Sequence, residues 1–258
     1  MRGESFGMHL TTTLRVPWND SDTAFYRRLR RIDPAPYAAL LRFDGLTVHC
    51  SSPERFLRVT PDGRVESRPV KGTARRDPDP ARDAHLAASL ARTPHTRADH
   101  LMAVDLVRND LGQVCETGSI RVERYMTVES RTTAHHLVSS VQGRLKPAVT
   151  PLECARHCFP GGSVTGSPKK RTMEILDRLE TEARGVYSGA LGYFGLGGGA
   201  DLNVAVRTAV RQDDTLTIGL GSAVGIDSAS DDKKYEAMLR EAIATLQAGR
   251  PPDIAKAW

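Results

Sequence analysis

Residues 187–219 read YSGALGYFGLGGGADLNVAVRTAVRQDDTLTIG and contain three segments that predict β-strands, at 187–194, 202–211 and 215–219. The segments are rich in β-branched, aromatic and leucine residues, and clusters of glycine or aspartate separate them. No helical pattern lies between them. Because strands follow one another here without helices, this part of the chain does not show the strict βαβ alternation of a parallel α/β fold.

The remainder of the chain mixes short strands with helices. Further strands are predicted at 38–43, 46–50, 56–59, 65–70, 122–128 and 136–143, and helices at 22–31, 81–111 in two pieces divided near Pro94, 152–157, 169–179 and 231–247. Sheet segments separated by helices without strict alternation indicate a complex, layered α+β fold. The 258 residues show no internal repeat and are predicted to form a single domain, 1–258.

Composition limits the classes of partner. The chain carries 36 Lys and Arg against 31 Asp and Glu, a net charge of +5, but the basic residues are scattered and aromatic residues make up only 5%. This pattern favours an anionic small ligand and predicts no nucleic-acid partner. There is no apolar run of about 18 residues and no signal-peptide pattern. The four cysteines lack zinc-ribbon spacing, so we expect a cytoplasmic protein with reduced thiols and no membrane partner.

Five separated segments share a chemical theme, since together they offer one lysine, three carboxylates and two glycine-rich loops. They are SSPERF at 51–56, PVKGT at 69–73, ADHLM at 98–102, GSVTGSPK at 162–169, and GSA at 221–223 leading to Tyr235 and Glu236. Glycine-rich backbone binds anions, and carboxylates bind divalent cations. The set therefore predicts a site that activates a small polyanion with a divalent metal.

The loop at 160–169 ends in Pro168, which suits the first position of a helix. Its backbone amides can bind a carboxylate or phosphate, and the Ser163 and Thr165 hydroxyls are available to assist. The spacing is not that of a Walker phosphate-binding loop. The alternative is a capped turn without a ligand, and 221–223 could likewise merely end the strand before it.

The predicted last helix has an apolar stripe at helical spacing that contains Tyr235, Leu239, Ala242 and Leu246. Glu236 and Arg240 lie at i and i+4 on the edge of this stripe, where a side chain can reach both core and cleft. The alternative is a surface ion pair worth well under about 1 kcal/mol. Asp99 is similarly ambiguous, because the helix dipole favours an acid near a helix start in any case.

Three further blocks accompany these segments: DLVRNDL at 105–111, HHLVS at 135–139 and DLNVAVRT at 201–208. With them the chain resembles the chorismate-utilising enzymes, and among these the aminodeoxychorismate synthase component I group, which is related to anthranilate synthase component I. The match covers about residues 10–247. The resemblance implies antiparallel sheets flanked by helices. It also implies Mg²⁺-dependent amination of chorismate to 4-amino-4-deoxychorismate on the para-aminobenzoate branch, with ammonia from a glutamine amidotransferase subunit.

The resemblance implies a role for each site residue. Asp99 and Glu236 match the two acids that hold Mg²⁺, which commonly takes one or two protein carboxylates. Residues that match the binding site of the ring carboxylate are Gly221, Ser222 and Ala223, with Gly72, Thr73 and Arg240 nearby. Tyr187 and Arg207 match the pair that binds the enolpyruvyl carboxylate, for which a forked guanidinium is apt.

Three residues match the chemical steps. Glu54 matches the general acid that protonates the departing C4 hydroxyl, and a poorly hydrated pocket would keep such a carboxyl partly protonated near pH 7. Lys71 matches the lysine that attacks C2 in the aminodeoxychorismate branch, where anthranilate synthases usually have alanine. His136 matches a histidine near the ring, with an orienting or proton-handling role. By itself, Lys71 could also be a solvated lysine beside a glycine turn.

The chain departs from the family pattern at several positions. Asp99 stands where Glu is usual, Ser222 and Ala223 replace part of a Gly-Ala-Gly segment, and Arg240 replaces Lys. Relatives also carry a substantial preceding region, so the sequence suggests an N-terminally shortened form. Two alternatives to C4 amination therefore stay open. One is anthranilate- or isochorismate-type chemistry at C2, and the other is an inactive, truncated chorismate-binding remnant.

Overall fold

The computed structural model describes residues 4–224. The predicted helix at 231–247, with the candidate site residues Glu236 and Arg240, lies outside the described residues. Among residues 4–224, no helix is long and apolar enough to cross a membrane.

Within this range the chain forms thirteen strands and five α-helices. In chain order they are β1 (Gly7–Pro17), α1 (Asp22–Ile32), β2 (Tyr37–Phe43), β3 (Leu46–Ser52), β4 (Arg55–Val59), β5 (Arg64–Arg68), β6 (Val70–Arg75), α2 (Pro80–Arg92), α3 (Pro94–Val114), β7 (Arg121–Ser130), β8 (Ala134–Arg144), α4 (Pro151–Cys158), β9 (Gly166–Ser167), α5 (Lys169–Leu179), β10 (Ala190–Phe194), β11 (Ala200–Val204), β12 (Thr208–Gln212) and β13 (Thr215–Val224). A short 3₁₀ turn covers Gly162–Val164.

The chain divides into two compact units, each built on its own antiparallel sheet. The first unit contains residues 4–53, 164–189 and 205–224 of the described range, and the second contains Glu54–Ser163 and Ala190–Val204. Antiparallel sheets with a few helices confirm the predicted α+β class. The assignment of residues 1–258 to one catalytic domain stays a prediction.

The first unit has a six-stranded sheet in the order β2-β3-β12-β13-β1-β9. Helix α1 begins after Ser21, whose side chain accepts a hydrogen bond from the Ala24 N–H, as is usual for an N-cap serine. Phe25 and Leu29 are four residues apart and therefore share one helix face. They pack into a core with the sheet residues Ala209, Leu216, Ile218 and Leu220.

The second unit has a seven-stranded sheet in which the path β10-β11-β4-β5-β8-β6 is joined by β7, which pairs with β8. Strand β8 is buried along nearly its whole length. Leu137 of β8 packs with Leu90 of α2 and Met126 of β7 in a buried cluster. Strand β8 pairs with β6 on one side and with β7 on the other, and each of these two neighbours carries an irregularity beside it.

Several strand boundaries differ from the sequence prediction. The predicted strand 65–70 is two strands, β5 and β6, separated by Pro69, which has no N–H to donate to a ladder. The predicted strand 202–211 is also two strands, because β11 belongs to the second unit and β12 to the first. Strand β1 was not predicted at all, although ten of its residues pair with β13. The division of the 81–111 helix near Pro94 is confirmed.

Candidate active site

The second unit places Lys71 close enough to Glu54 and to Asp99 for its charge to interact with both acids. Glu54 immediately precedes β4 and is 7% exposed. Its carboxyl group accepts hydrogen bonds from the Ser163 hydroxyl and from the backbone N–H of Val70. Glu54, Lys71 and Asp99 are three of the residues that the sequence assigned to catalysis or metal binding, and Ser163, which it assigned to substrate binding, contacts Glu54.

Burial changes the proton affinity of Glu54. It raises the pKa of this carboxyl to about 7, because removal of water disfavours the charged form. The hydrogen bond from Ser163, the charge of Lys71 and the hydrogen bond from Val70 act in the opposite direction and do not cancel the effect of burial. The Glu54 carboxyl is therefore partly protonated near neutral pH, as a general acid requires.

Lys71 lies in a β-bulge of β6. Val70 pairs with Val138 and Thr73 pairs with His136, so Lys71 and Gly72 together face the single residue Leu137 of β8. Gly72 adopts φ +100°, and a Cβ atom at this position would lie 2.5 Å from the Thr96 Cγ2 atom. Bulges redirect side chains and often occur next to active sites. The glycine after Lys71 is thus required by both conformation and space.

Burial also lowers the pKa of the Lys71 ammonium group, and the negative charges of Glu54 and Asp99 oppose that shift. The effects of burial on Glu54 and Lys71 have the same physical origin, since each group loses hydration of its charged form. Burial thus favours the neutral carboxyl and the neutral amine. These are the forms that a general acid and a nucleophile need.

Two other predicted residues lie in the same unit. His136 of β8 is buried, and its Nδ1 atom lies 3.1 Å from the Thr73 hydroxyl. Asp99 lies in the second turn of α3 with its side chain 32% exposed, and its Oδ2 atom is 3.6 Å from His95 Nε2.

Within residues 4–224, no group of three or more His, Cys, Asp or Glu side chains is arranged to hold a metal. A single carboxylate completed by waters is a common environment for Mg²⁺, so Asp99 fits as one ligand.

The first unit contains Tyr187 and Arg207. Arg207 has φ +50°, and its Nη1 atom donates a hydrogen bond to Asp33 Oδ2 at 3.0 Å. Asp33 was not among the predicted site residues, and its position after the end of α1 gave no signal of this contact.

Tyr187 lies in the turn before β10, not in the strand that the sequence predicted from 187 onward. Its ring packs directly over Gly219.

We expect Gly219→Ala to displace the Tyr187 ring, because a Cβ atom at residue 219 would overlap three atoms of that side chain. Overpacking of this kind costs about 1–3 kcal/mol of the free energy of unfolding. Gly197→Ala is the matched control, since a Cβ atom there meets nothing within 4 Å. Denaturant unfolding of the two variants measures the difference. Equal stability of both variants would contradict the close packing of Tyr187 on Gly219.

The segment Gly221, Ser222 and Ala223 lies inside β13, which extends to Val224, five residues beyond the predicted end of that strand. These three residues pair with Thr11, Leu10 and His9 of β1 in that order. A Cβ atom at Gly221 would overlap the His9 imidazole. The segment therefore belongs to the strand, and its contact with a ring carboxylate stays a prediction.

The glycine-rich loop at 160–169 contributes to both units. Ser163 belongs to the second unit and Thr165 to the first, where the Thr165 carbonyl accepts a hydrogen bond from the His9 N–H at 2.7 Å. Pro168 is the N-cap of α5 and not its first helical residue, contrary to the sequence prediction. Gly162 packs against α3, where a Cβ atom would lie 2.7 Å from the Leu106 Cβ atom.

The chain matches known proteins along most of its length. The family of chorismate binding enzymes matches residues 1–245. An aminodeoxychorismate synthase from Streptomyces pristinaespiralis is 53% identical over 248 residues, which cover 96% of this chain and 34% of the relative. Anthranilate synthase component 1 from Aquifex aeolicus (strain VF5) is 38% identical, with 96% of this chain and 50% of the relative covered.

A solved structure has the same fold. The crystal structure of anthranilate synthase component I from Streptococcus pneumoniae TIGR4 superimposes with a TM-score of 0.86 at 33% sequence identity, covering 94% of this chain and 53% of that one. The chain thus spans between one third and about half of the length of these relatives. Since the family match extends over nearly every residue of the chain, this protein belongs to the family of chorismate binding enzymes.

Proposed function

We propose that this chain catalyses the Mg²⁺-dependent amination of chorismate by ammonia to 4-amino-4-deoxychorismate. The observation that carries the proposal is the loss of hydration at the buried Glu54 and the half-buried Lys71, which shifts both groups toward their neutral forms. Moving one proton from the lysine to the carboxyl produces a general acid and a free amine at the same time. A solvated glutamate and lysine would hold the opposite, unreactive charge states near neutral pH.

In the proposed reaction the Lys71 amine forms a bond to C2 of the ring as the C4–O bond breaks. Glu54 donates its proton to the departing hydroxyl, which leaves as water. The ring double bonds shift between the two positions. Ammonia then forms a bond to C4, the C2–N bond breaks, and Lys71 returns to its free form. The sum is chorismate plus ammonia giving the amino product plus water, and the proton lost by the nucleophilic nitrogen restores Glu54.

The remaining residues are assigned from the family resemblance. Asp99, with Glu236 beyond the described residues, would hold Mg²⁺, which when bound would neutralise carboxylate charge and withdraw electrons from the ring. Tyr187 and Arg207 are proposed ligands of the enolpyruvyl carboxylate, and the hydrogen bond from Arg207 to Asp33 limits the rotation of that guanidinium. Proposed ligands of the ring carboxylate are Gly72, Thr73, Gly221, Ser222, Ala223 and Arg240, with Ser163 and Thr165 as further polar contacts. His136 is proposed to orient the ring.

We expect Asp99→Asn to raise the Mg²⁺ concentration needed for half-maximal activity by at least about 10-fold, because an amide oxygen carries no charge. Asp105→Asn is the control, since this exposed acid on the same helix pairs with Arg108 at 2.9 Å. Mg²⁺ titrations, followed by product formation and by thermal stabilisation in the presence of chorismate, measure the effect. An unchanged Mg²⁺ requirement in Asp99→Asn would remove Asp99 from the metal site.

The proposal is tested by incubating the purified chain with chorismate, Mg²⁺ and a high concentration of ammonium at mildly alkaline pH. Products are separated by chromatography and identified by mass. A 4-amino product that requires Mg²⁺ supports the proposal. Ammonium salt replaces the glutamine amidotransferase subunit that we propose as the natural source of ammonia. A folded chain that binds chorismate but converts none of it would favour the inactive remnant instead.

Amination at C2 is the second candidate, and it is favoured by the 38% identity to an anthranilate synthase component. The same incubation distinguishes the two, because C2 and C4 amination give products that separate by chromatography. Lys71 argues for C4, since direct attack of ammonia at C2 needs no lysine in the site. A C2 product from the unaltered chain would overturn the proposed function.

A further inference from the structure

Two β-bulges face the same strand from opposite sides. On one side of β8, Lys71 and Gly72 of β6 oppose Leu137. On the other side, Arg124 pairs with Ser140 and Thr127 with Val138, so Tyr125 and Met126 of β7 oppose Ser139. Leu137 and Ser139 are two residues apart and share one face of the strand. The two irregularities are therefore neighbours across β8.

A bulge removes backbone groups from the regular ladder, and buried backbone groups need other partners. His100 of α3 provides one, since its Nδ1 atom lies 3.0 Å from the Lys71 carbonyl oxygen. Its Nε2 atom lies 2.7 Å from the Ser139 hydroxyl. That hydroxyl accepts a hydrogen bond from the Met126 N–H at 2.9 Å. His100 and Ser139 are both 0% exposed.

The directions of these hydrogen bonds follow from chemistry. The Lys71 carbonyl can only accept, so Nδ1 of His100 carries the hydrogen. In a neutral imidazole the other nitrogen then accepts, so the Ser139 hydroxyl donates to Nε2 while it accepts from Met126. Every polar group in this chain of contacts has a partner. Such a fully satisfied buried network holds one geometry.

Helix α3 supports the bulge at a second point. Thr96 and His100 are four residues apart and share one helix face. The Thr96 methyl group occupies the space in which a Cβ atom of Gly72 would stand, while His100 binds the carbonyl of Lys71. Consecutive backbone positions of β6 are thus fixed by consecutive turns of one helix. The side chain of Lys71 extends from the backbone that these contacts hold.

We propose that His100 is a positioning residue, which together with Ser139 holds the bulge of β6 and thereby aims the Lys71 amine. This inference rests on the proposed function, in which Lys71 is the nucleophile. It assigns to His100 no contact with the substrate and no proton transfer. A displacement of a reacting group by about 1 Å can cost about 100-fold in rate, so a residue behind the nucleophile can have a large effect.

The test uses three variants and two matched controls. His100→Phe keeps an aromatic ring and removes both hydrogen bonds, His100→Asn keeps a donor near the Nδ1 position, and Ser139→Ala removes the link to Met126. His135→Phe and Ser140→Ala are the controls. Like His100, His135 is a buried histidine, but it lies on β8, the strand of Ser139, and contacts Ser130 and Asp83, and the Ser140 hydroxyl of β8 donates to Glu66. The controls remove buried hydrogen bonds from the same strand without touching Lys71.

Hydrogen exchange measured by mass spectrometry reports the bulge independently of activity. We expect His100→Phe to speed exchange in the 70–73 peptide by at least 10-fold, and Ser139→Ala to do so at both 70–73 and 125–127. The controls should leave the 70–73 peptide unchanged. Unchanged exchange at 70–73 in both His100→Phe and Ser139→Ala would overturn the proposal. This readout decides the role of the network even if the wild-type chain forms no 4-amino product.

Kinetics tests the consequence for Lys71 in the wild-type and variant enzymes. We expect His100→Phe to lower kcat by about 100-fold with little change in KM for chorismate, and His100→Asn to recover at least 10-fold of that loss. A merely structural role predicts equal losses in His100→Phe and His135→Phe, and no rescue by asparagine. That result would contradict positioning. Absence of turnover in the wild type alone would instead refute the proposed function.

Discussion

Lys71→Ala is expected to abolish formation of the 4-amino product, with a fall in kcat of at least about 10³-fold. In the proposed reaction the lysine nitrogen forms the first new bond, and no other amine among the described residues is assigned to that step. The alanine variant leaves C2 open to direct attack by ammonia. Any amination that remains is therefore expected at C2.

Chromatography of the products, with mass identification, measures both the rate and the position of amination. Lys146→Ala is a suitable control, because Lys146 is exposed and its ammonium group donates a hydrogen bond to the Gln113 carbonyl. Omission of ammonia gives a second readout in the unaltered chain. The peptide that contains Lys71 should then gain the mass of chorismate less one water. A variant that makes the 4-amino product at the normal rate would show that Lys71 is not the nucleophile.

Glu54→Gln is expected to lower kcat by about 10²–10⁴-fold, the range for loss of a general acid. Glutamine keeps the shape and can still accept a hydrogen bond from Ser163, but it has no proton to give to the departing hydroxyl. The burial that raises the pKa of Glu54 to about 7 also predicts the pH dependence. Activity of the unaltered chain should fall as the pH rises through about 7, because the carboxyl loses its proton.

The pH profile is measured at a constant concentration of free ammonia, so that the supply of nucleophile does not change. The alkaline fall in activity near pH 7 should be absent in Glu54→Gln.

The pH dependence of stability provides an independent check. Because the pKa of Glu54 is higher in the folded chain than the ordinary value, folding takes up a proton between about pH 4.5 and 7. Stability should therefore fall across this interval in the wild type and less so in Glu54→Gln. Identical pH profiles of activity would exclude Glu54 as the acid.

Much of the fold followed from local patterns. Helix α5 covers the predicted range 169–179, although Pro168 is its N-cap and not its first residue, and Pro94 divides α2 from α3 as expected. These boundaries depend on capping and proline chemistry, which act over a few residues. Strand β1 was missed because its burial does not alternate clearly along the chain, and its pairing with β13 joins residues about 200 positions apart. Local patterns carry no information on such a partner.

For the candidate site, the sequence motifs were enough to identify the acids and the lysine, Glu54, Asp99 and Lys71, and the family to which the chain belongs. The proton affinities of Glu54 and Lys71 depend instead on the fold, because both pKa shifts come from removal of water by the surrounding chain. The fold also creates the bulge at Lys71 and the hydrogen bonds of His100. A histidine beside Asp99 in the sequence is indistinguishable from any other helix residue until a backbone carbonyl of a distant strand lies 3.0 Å from its ring.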